Sequence, residues 1–284
     1  MQALEGFGPK LIESIAEGIQ QKKLAPKRYR LNVAEAVAKE VLDALESAKG
    51  IKAIEVAGSI RRRKETVKDI DIIVAASMDS DVMDVFVTLP DVKRIVMQGP
   101  TRSSVELSQG LHVDLRVVQP EAFGSALHHF TGSKAHNIAL RKLAENRGLK
   151  INEYGIYKGV KRLGGKDEKD IYDVLKMDYI VPELREDRGE VDRAHRHALP
   201  DLITQKTIRG DLHVHTTWSD GKNTLEAMAL AAKELGYEYL AVTDHTKHLT
   251  VAHGLDEKRL LEAIEAIDAF NAAGHGITVL KSAE

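Results

Sequence analysis

Gly58-Ser59-Ile60-Arg61-Arg62-Arg63-Lys64-Glu65-Thr66-Val67-Lys68-Asp69-Ile70-Asp71 is the stretch on which the reading turns. In a β-strand residues i and i+2 share a face, so Asp69 and Asp71 point together while Ile70 and Ile72 point the other way. Two carboxylates that close repel each other unless a cation lies between them. Paired oxygen donors suit Mg²⁺, which keeps some of its waters and takes further ligands from phosphates. Just upstream, Gly58-Ser59 at a strand end offers backbone N–H groups and a hydroxyl, and Arg61, Arg62, Arg63 and Lys64 add donors with phosphate geometry. The pattern reads as an anion cradle beside a dication site, a description of nucleoside-triphosphate chemistry. The plain alternative is an exposed strand of solvated aspartates after a basic turn; the nearby Gly-Ser and basic run weigh against it.

Two metals assisting an in-line displacement call for a third carboxylate. Asp114, in Leu111-His112-Val113-Asp114-Leu115-Arg116-Val117-Val118, is the best candidate, because a charge in an apolar strand needs a partner. An ion pair with Arg116 on the same strand face is the competing explanation. Around these strands the pattern is helical at first: Leu11, Ile12, Ile15 and Ile19, then Val33, Val37, Val41, Leu42 and Leu45 up to Gly50. Ile51–Ala57, Asp69–Ala75 and Leu111–Val118 read as strands, Ser133–Arg147 as a helix, and 159–169 as a loop or hairpin tip.

A second cluster follows. Asp211-Leu212-His213-Val214-His215 puts two imidazoles on one strand face, Asp220 comes round on the next loop, and Thr243-Asp244-His245 ends another strand. Neutral imidazoles with a carboxylate suit Zn²⁺, Mn²⁺ or Fe²⁺. Strands at 210–215, 239–243 and 277–280 alternate with helices at 225–235 and 258–273, an order that implies parallel strands with helical crossovers. The pair His128-His129 reads as packing beside a nucleotide pocket rather than as a metal site.

With 284 residues the chain has room for two domains. Its 41 basic and 43 acidic residues give a net charge of −2, so nucleic-acid binding has to come from where charges sit rather than from their sum. The absence of cysteine excludes disulfides, thiolate metal sites and cysteine catalysis. No apolar run approaches the ~18 residues of a membrane span, and MQALEGFGPK carries no signal peptide, so a cytoplasmic protein is expected. The proline- and charge-rich 181–201 segment reads as a linker.

Taken in order, Gly58-Ser59, Arg61-Arg62, Asp69-Ile70-Asp71, Val113-Asp114-Leu115-Arg116, the run from Phe130 through Thr131, Gly132 and Ser133 to Asn137, Arg141, and Asn152-Glu153-Tyr154-Gly155 resemble the family X DNA polymerases. The resemblance implies a nucleotidyltransferase palm in which Asp69, Asp71 and Asp114 are metal ligands and Asp114 orients the primer 3′-hydroxyl. By the same resemblance Gly58, Ser59 and Arg62 would hold the triphosphate, and Phe130 and Gly132 would border the sugar. Asn137 would touch the base edge and Arg141 would approach the template. His129 stands where vertebrate members usually carry tyrosine. Gly6, Gly8 and Lys10 resemble a helix–hairpin–helix that grips the DNA backbone.

The histidine half resembles the polymerase-and-histidinol-phosphatase (PHP) domain. This implies metal ligation by His213, His215, Asp220, His245 and Glu284 and 3′–5′ exonuclease chemistry. Such a barrel needs about 200–250 residues, so 208–284 reads as its amino-terminal part, and a chain truncated at both ends and lacking exonuclease activity is expected.

The resulting expectation is an α+β nucleotidyltransferase palm with an N-terminal helix–hairpin–helix segment, plus an incomplete α/β TIM-like barrel. Its domains run 1–48 (helical), 49–130 (palm), 131–184 (thumb), 185–207 (linker) and 208–284 (PHP). The partners are a DNA primer/template and dNTPs, with no membrane and a monomeric state. The cofactors are Mg²⁺ or Mn²⁺ at the palm and Zn²⁺ or Mn²⁺ at the histidine cluster. A metal-dependent phosphoesterase and a non-catalytic DNA-end binding protein are the alternatives.

Overall fold

The computed structural model describes residues 27–77 and 79–284, and the chain divides into two compact units between Leu199 and Pro200. The expected helix–hairpin–helix residues Gly6, Gly8 and Lys10 lie outside the described residues.

The first unit opens with β1 (Tyr29–Arg30) and α1 (Leu31–Leu45), whose buried Ala34, Val37, Ala38, Val41 and Leu45 recur at helical spacing. β2 (Ile51–Val56), a helical turn α2 (Gly58–Arg61), β3 (Thr66–Val67) and β4 (Asp69–Ala76) follow. Then come α3 (Val82–Val87), β5 (Val92–Met97), β6 (Arg102–Leu107) and β7 (His112–Val118). The main sheet has the order β2-β4-β7-β6-β5, and only the β4–β7 pair is parallel.

Alternation along β4 decides where chemistry can sit. Ile70, Ile72 and Val74 enter the core with α1 and with Val82 and Phe86 of α3. Ile73, on the opposite face, packs on Ala126 and Leu127. Asp69 and Asp71 share the face of Ile73 and therefore project beside α4 (Phe123–Thr131). The sequence pattern did not mark α3, β5, β6 or α4, although β6 and α4 flank the carboxylates.

Beyond α4 come α5 (Lys134–Glu145), the antiparallel strands β8 (Lys150–Asn152), β9 (Gly155–Lys158) and β10 (Lys161–Gly164), α6 (Lys169–Val174) and α7 (Glu190–His195). They share one core that includes Leu140, Ile156, Ile171, Tyr172 and Ala194. The expected 181–201 linker is therefore corrected. Its Ala194 is buried in this core, and its Arg185 is 0% exposed, the largest fully buried side chain among those described.

Arg185 is buried because Glu168 is buried beside it. Arg185 NH1 donates to Glu168 Oε1 at 2.5 Å, the Arg61 fork donates to both Glu168 oxygens at 2.8 Å, and Tyr179 Oη donates at 2.7 Å. Burial pushes the Glu168 carboxyl up, but the Arg61 bond and the charge and bond of Arg185 outweigh it and hold the group well below the ordinary carboxylate range. Arg61 also donates to Thr131 Oγ1 at 2.9 Å, so α2 and the end of α4 are tied to the same carboxylate.

The second unit holds β11 (Gly210–Val214), α8 (Leu225–Glu234), β12 (Tyr239–Val242), α9 (Glu257–Ala272) and β13 (Thr278–Lys281). Its three strands are parallel in sequence order, as the alternating pattern predicts. Val214, Leu240, Val242 and Val279 of the sheet pack against Ala229, Ile267 and Phe270 of the helices.

Glu168→Gln leaves Arg185 buried without its counter-charge and is expected to lower the unfolding free energy by about 3 kcal/mol. The depressed Glu168 carboxyl stabilises the fold above its unfolded-state value, and that contribution disappears as pH falls through its lower folded value. Urea unfolding at pH 7 and pH 3 should therefore show a large gap between wild type and variant at the higher pH and a smaller one at the lower.

Candidate active site and metal centres

Asp71 and Asp114 are register partners on the adjacent parallel strands β4 and β7, and Asp69 lies two residues before Asp71 on the same face. The Ala57 N–H donates to the Asp71 carbonyl at 2.7 Å, which brings the α2 turn against the aspartate. Gly58 has φ +61°, and a Cβ there would collide with Asp71 Oδ2, so a left-handed backbone and the close approach both require glycine. Burial pushes the Asp71 carboxyl up to about 7, helped by the charges of Asp69 and Asp114 and opposed by Arg116 and Arg62.

Asp114 is held by β6. Ser104, its register partner there, donates Oγ–H to Asp114 Oδ1, and Arg102 NH2 lies 3.4 Å from the same oxygen. The anticipated alternative, an ion pair between Asp114 and Arg116, is not what the structure contains. The Arg116 guanidinium instead sits 4.3 Å from the centroid of the Phe130 ring. A cavity of about 450 Å³ beside Asp69 and Asp114 is lined by Lys68, Arg102 and His112. Asp69, Asp71 and Asp114 thus offer three carboxylates on one face of neighbouring strands, all hard oxygen donors, with Asp71 pushed up chiefly by its burial. Such a set fits Mg²⁺ or Mn²⁺.

The basic run is not the open cradle that the sequence suggested. Arg61 is committed to Glu168, Arg62 Nε donates to Glu186 Oε1 at 2.9 Å, and Arg63 pairs with Glu35 at 2.5 Å. Lys64 lies 3.5 Å from Glu186. Arg62, like Arg61, also reaches the end of α4, where it donates to the Thr131 carbonyl next to Gly132. Ser59 sits within the α2 turn, and its carbonyl accepts from Lys64 N at 3.1 Å.

Phe130 lies between Arg116 and the His129 ring, whose centroid is 4.8 Å away, and borders a cavity of about 260 Å³ shared with Arg116 and Tyr154. Asn137 Nδ2 donates to the His129 carbonyl at 2.7 Å, while its buried Oδ1 has no hydrogen-bond partner. Arg141 Nε donates to the Asn137 carbonyl at 3.1 Å, one turn back along α5. His128 is buried against Tyr172 Oη at 3.1 Å, in keeping with a packing role.

In the second unit His213 Nε2 and His215 Nε2 lie 3.1 and 3.3 Å from Glu284 Oε2. His215 Nδ1 and His245 Nε2 lie 3.4 and 3.7 Å from the two Asp220 oxygens. All five expected ligands therefore converge as two overlapping groups that share His215. His215 Nδ1 is buried and lacks a hydrogen-bond partner, as an imidazole nitrogen awaiting a Lewis acid would be. The donor set of three imidazoles and two carboxylates fits Zn²⁺, Mn²⁺ or Fe²⁺. Asp244, next to His245, serves otherwise: it accepts from Thr216 N at 2.8 Å, Thr216 Oγ1 at 2.7 Å and Ser219 Oγ at 2.6 Å, and so shapes the loop that carries Asp220.

Comparison with known proteins agrees with both halves. The DNA polymerase beta thumb model matches residues 126–186 and the PHP domain model matches residues 211–284. The DNA polymerase/3′-5′ exonuclease PolX of Bacillus subtilis (strain 168) is 38% identical over 290 residues, which covers 100% of this chain and 50% of that protein. In both halves the chain is similar to the family X DNA polymerases that carry a PHP domain. It spans half the length of PolX. DNA polymerase IV of Saccharomyces cerevisiae is 32% identical over 65 residues, 23% of this chain and 11% of that one. A phosphoribosyl 1,2-cyclic phosphate 1,2-diphosphodiesterase of Eggerthella lenta is 42% identical over 60 residues, 20% of this chain and 23% of that one. The solved ternary P/T complex of Leishmania infantum polymerase beta aligns with a TM-score of 0.49 at 21% identity, covering 65% of this chain and 96% of that one.

The structure places Asp69, Asp71 and Asp114 on one strand face with Gly58 against Asp71, and brings His213, His215, Asp220, His245 and Glu284 together. Phe130, Gly132, Asn137 and Arg141 are contributed by α4, α5 and the bend between them. Sequence reasoning missed Ser104, Arg102, Glu168, Glu186 and Asp244. Asp244 alone had a local signal, its place between Thr243 and His245.

Because His215 belongs to both ligand groups, His215→Ala is expected to cost more metal affinity than His213→Ala. Added Mn²⁺ should raise the thermal unfolding midpoint of the wild-type chain. The increment should shrink in His213→Ala and shrink further in His215→Ala.

Proposed function

We propose that this chain is a DNA-directed DNA polymerase that transfers dNMP to a primer 3′-hydroxyl during gap filling. The observation that carries this reading is the placement of Asp69, Asp71 and Asp114 on one face of neighbouring strands, beside a glycine turn whose backbone crowds Asp71. Residues 49–130 are read as the palm, 131–184 as the thumb and 1–48 as the helix–hairpin–helix segment. Residues 208–284 are read as the amino-terminal part of a PHP barrel.

Asp69, Asp71 and Asp114 would hold Mg²⁺ or Mn²⁺, which when bound supplies charge neutralisation at the phosphoryl oxygens and acidifies the attacking hydroxyl. The protein groups do the rest. Ser104 and Arg102 fix the Asp114 carboxylate, the group the resemblance places at the primer 3′-hydroxyl. Gly58, Ser59 and Arg62 would hold the triphosphate, as the resemblance implies. Phe130 and Gly132 would bound the sugar, with Arg116 stacked behind the phenyl ring. Asn137 and Arg141 would face the base pair and the template.

The histidine cluster is read as the site of a second activity, metal-dependent phosphodiester hydrolysis, which the similarity to the PHP domain implies and whose imidazole and carboxylate donors would hold the ion. Product analysis separates the two: the palm reaction releases pyrophosphate, and the hydrolytic one releases nucleoside monophosphate. Among the described residues no helix is long and apolar enough to cross a membrane.

Primer extension on gapped and recessed templates should require a divalent ion and should disappear in Asp71→Ala. DNA affinity should stay similar or rise slightly, since a negative charge has been removed beside the phosphates. Extension by Asp71→Ala at the wild-type rate would overturn the metal assignment.

A further inference from the structure

Arg62 and Lys64 do not wait empty. Both are held by one carboxylate, Glu186, at 2.9 and 3.5 Å. This is not an ordinary surface pair: the Arg62 side chain is 14% exposed and that of Glu186 is 21% exposed. Its place is fixed by the next residue back, since the Arg185 side chain is clamped by Glu168 and by the Ile180 carbonyl at 2.8 Å. The same Glu168 clamps Arg61, so Arg62 and Glu186 each follow an arginine anchored to one buried carboxylate.

Around this pair lies a cavity of about 400 Å³ to which Arg28, Arg62, Arg63, Lys64 and Arg188 contribute. Three carboxylates, Glu65, Glu183 and Glu186, also line it, so five cationic side chains face three acidic ones. The surplus is positive and the space exceeds what one carboxylate fills. Burial pushes the Glu186 carboxyl up, yet the Arg62 bond and the charges of Arg62 and Lys64 outweigh it and keep the group ionised.

We propose that Glu186 is a resident substitute for phosphate: it occupies Arg62 and Lys64 while the seat lacks a nucleotide and yields them to the β- and γ-phosphates or to pyrophosphate. The inference rests on the nucleotidyl-transfer reading above and adds a specificity device to it. A polyphosphate brings several charged oxygens to the same donors and displaces a single carboxylate, whereas a nucleoside monophosphate brings no terminal phosphates to do so. Glu186 thereby keeps the arginine fork placed between turnovers and sets a threshold that favours triphosphates.

The test is calorimetric titration of the full chain with inorganic pyrophosphate, without DNA. Glu186→Gln should bind pyrophosphate about fivefold tighter than wild type, the scale of releasing one partly exposed ion pair. Glu186→Asp, which keeps the charge, should stay nearer to wild type. In primer extension the KM for dNTP should fall in Glu186→Gln by a similar factor, and pyrophosphate should inhibit at lower concentration. If Glu186 merely clamps the fold, Glu186→Gln will melt earlier and its KM will rise. Unchanged or weaker pyrophosphate binding overturns the inference. A wild-type chain that extends no primer defeats the polymerase reading instead, while the pyrophosphate comparison still decides the role of Glu186.

Discussion

A carboxylate that cannot leave the interior organises the first unit. Glu168 is nearly out of solvent, and two guanidinium groups and a phenol converge on its two oxygens. One of those guanidinium groups, Arg61, comes from the turn that crowds Asp71; the other, Arg185, comes from a segment more than a hundred residues later. Ion pairs of this kind contribute little net free energy against apolar packing, but removing one partner strands the others. Their value is positional. The glycine turn, the end of α4 and the 182–186 segment are located relative to one another by a single buried charge, and Arg62, Thr131 and Glu186 issue from those three places.

The two candidate centres obey different donor chemistry. In the first unit the donors are carboxylates only, carried on one face of paired strands. In the second, imidazoles dominate and the carboxylates come from a loop and from Glu284. Hard oxygen sites suit ions that exchange water and phosphate oxygens readily, and nitrogen-rich sites suit ions that bind more tightly and polarise a water strongly. The two units thus carry donor sets that would select different ions.

How much of this was legible in the sequence follows from the range of the interactions. The period of a strand puts Asp69 and Asp71 on one face with no knowledge of the fold, and a lone aspartate in an apolar run marks Asp114. His213 and His215 are legible for the same reason. The polar partners that fix these groups are not, because Arg61 meets Glu168 across 107 residues and Arg62 meets Glu186 across 124. A basic run followed by a D-x-D motif looks like free phosphate donors until the acidic partners fold back on it. The 181–201 stretch was misread for a related reason: its charges and prolines resemble a solvated tether, yet Arg185 is interior because its counter-charge is interior. Where the pattern is a property of one element it can be read directly, and where it is a property of closure it cannot.

Asp244 shows what such closure provides in the second unit. Its carboxylate accepts one backbone N–H and two hydroxyls from Thr216 and Ser219, so the turn leading to Asp220 has its shape before any ion arrives. Preorganisation of this kind means that ion capture orders side-chain rotamers rather than backbone. Loading should therefore leave the backbone of the 216–220 turn as it is, with the cost of ordering confined to the ligand side chains.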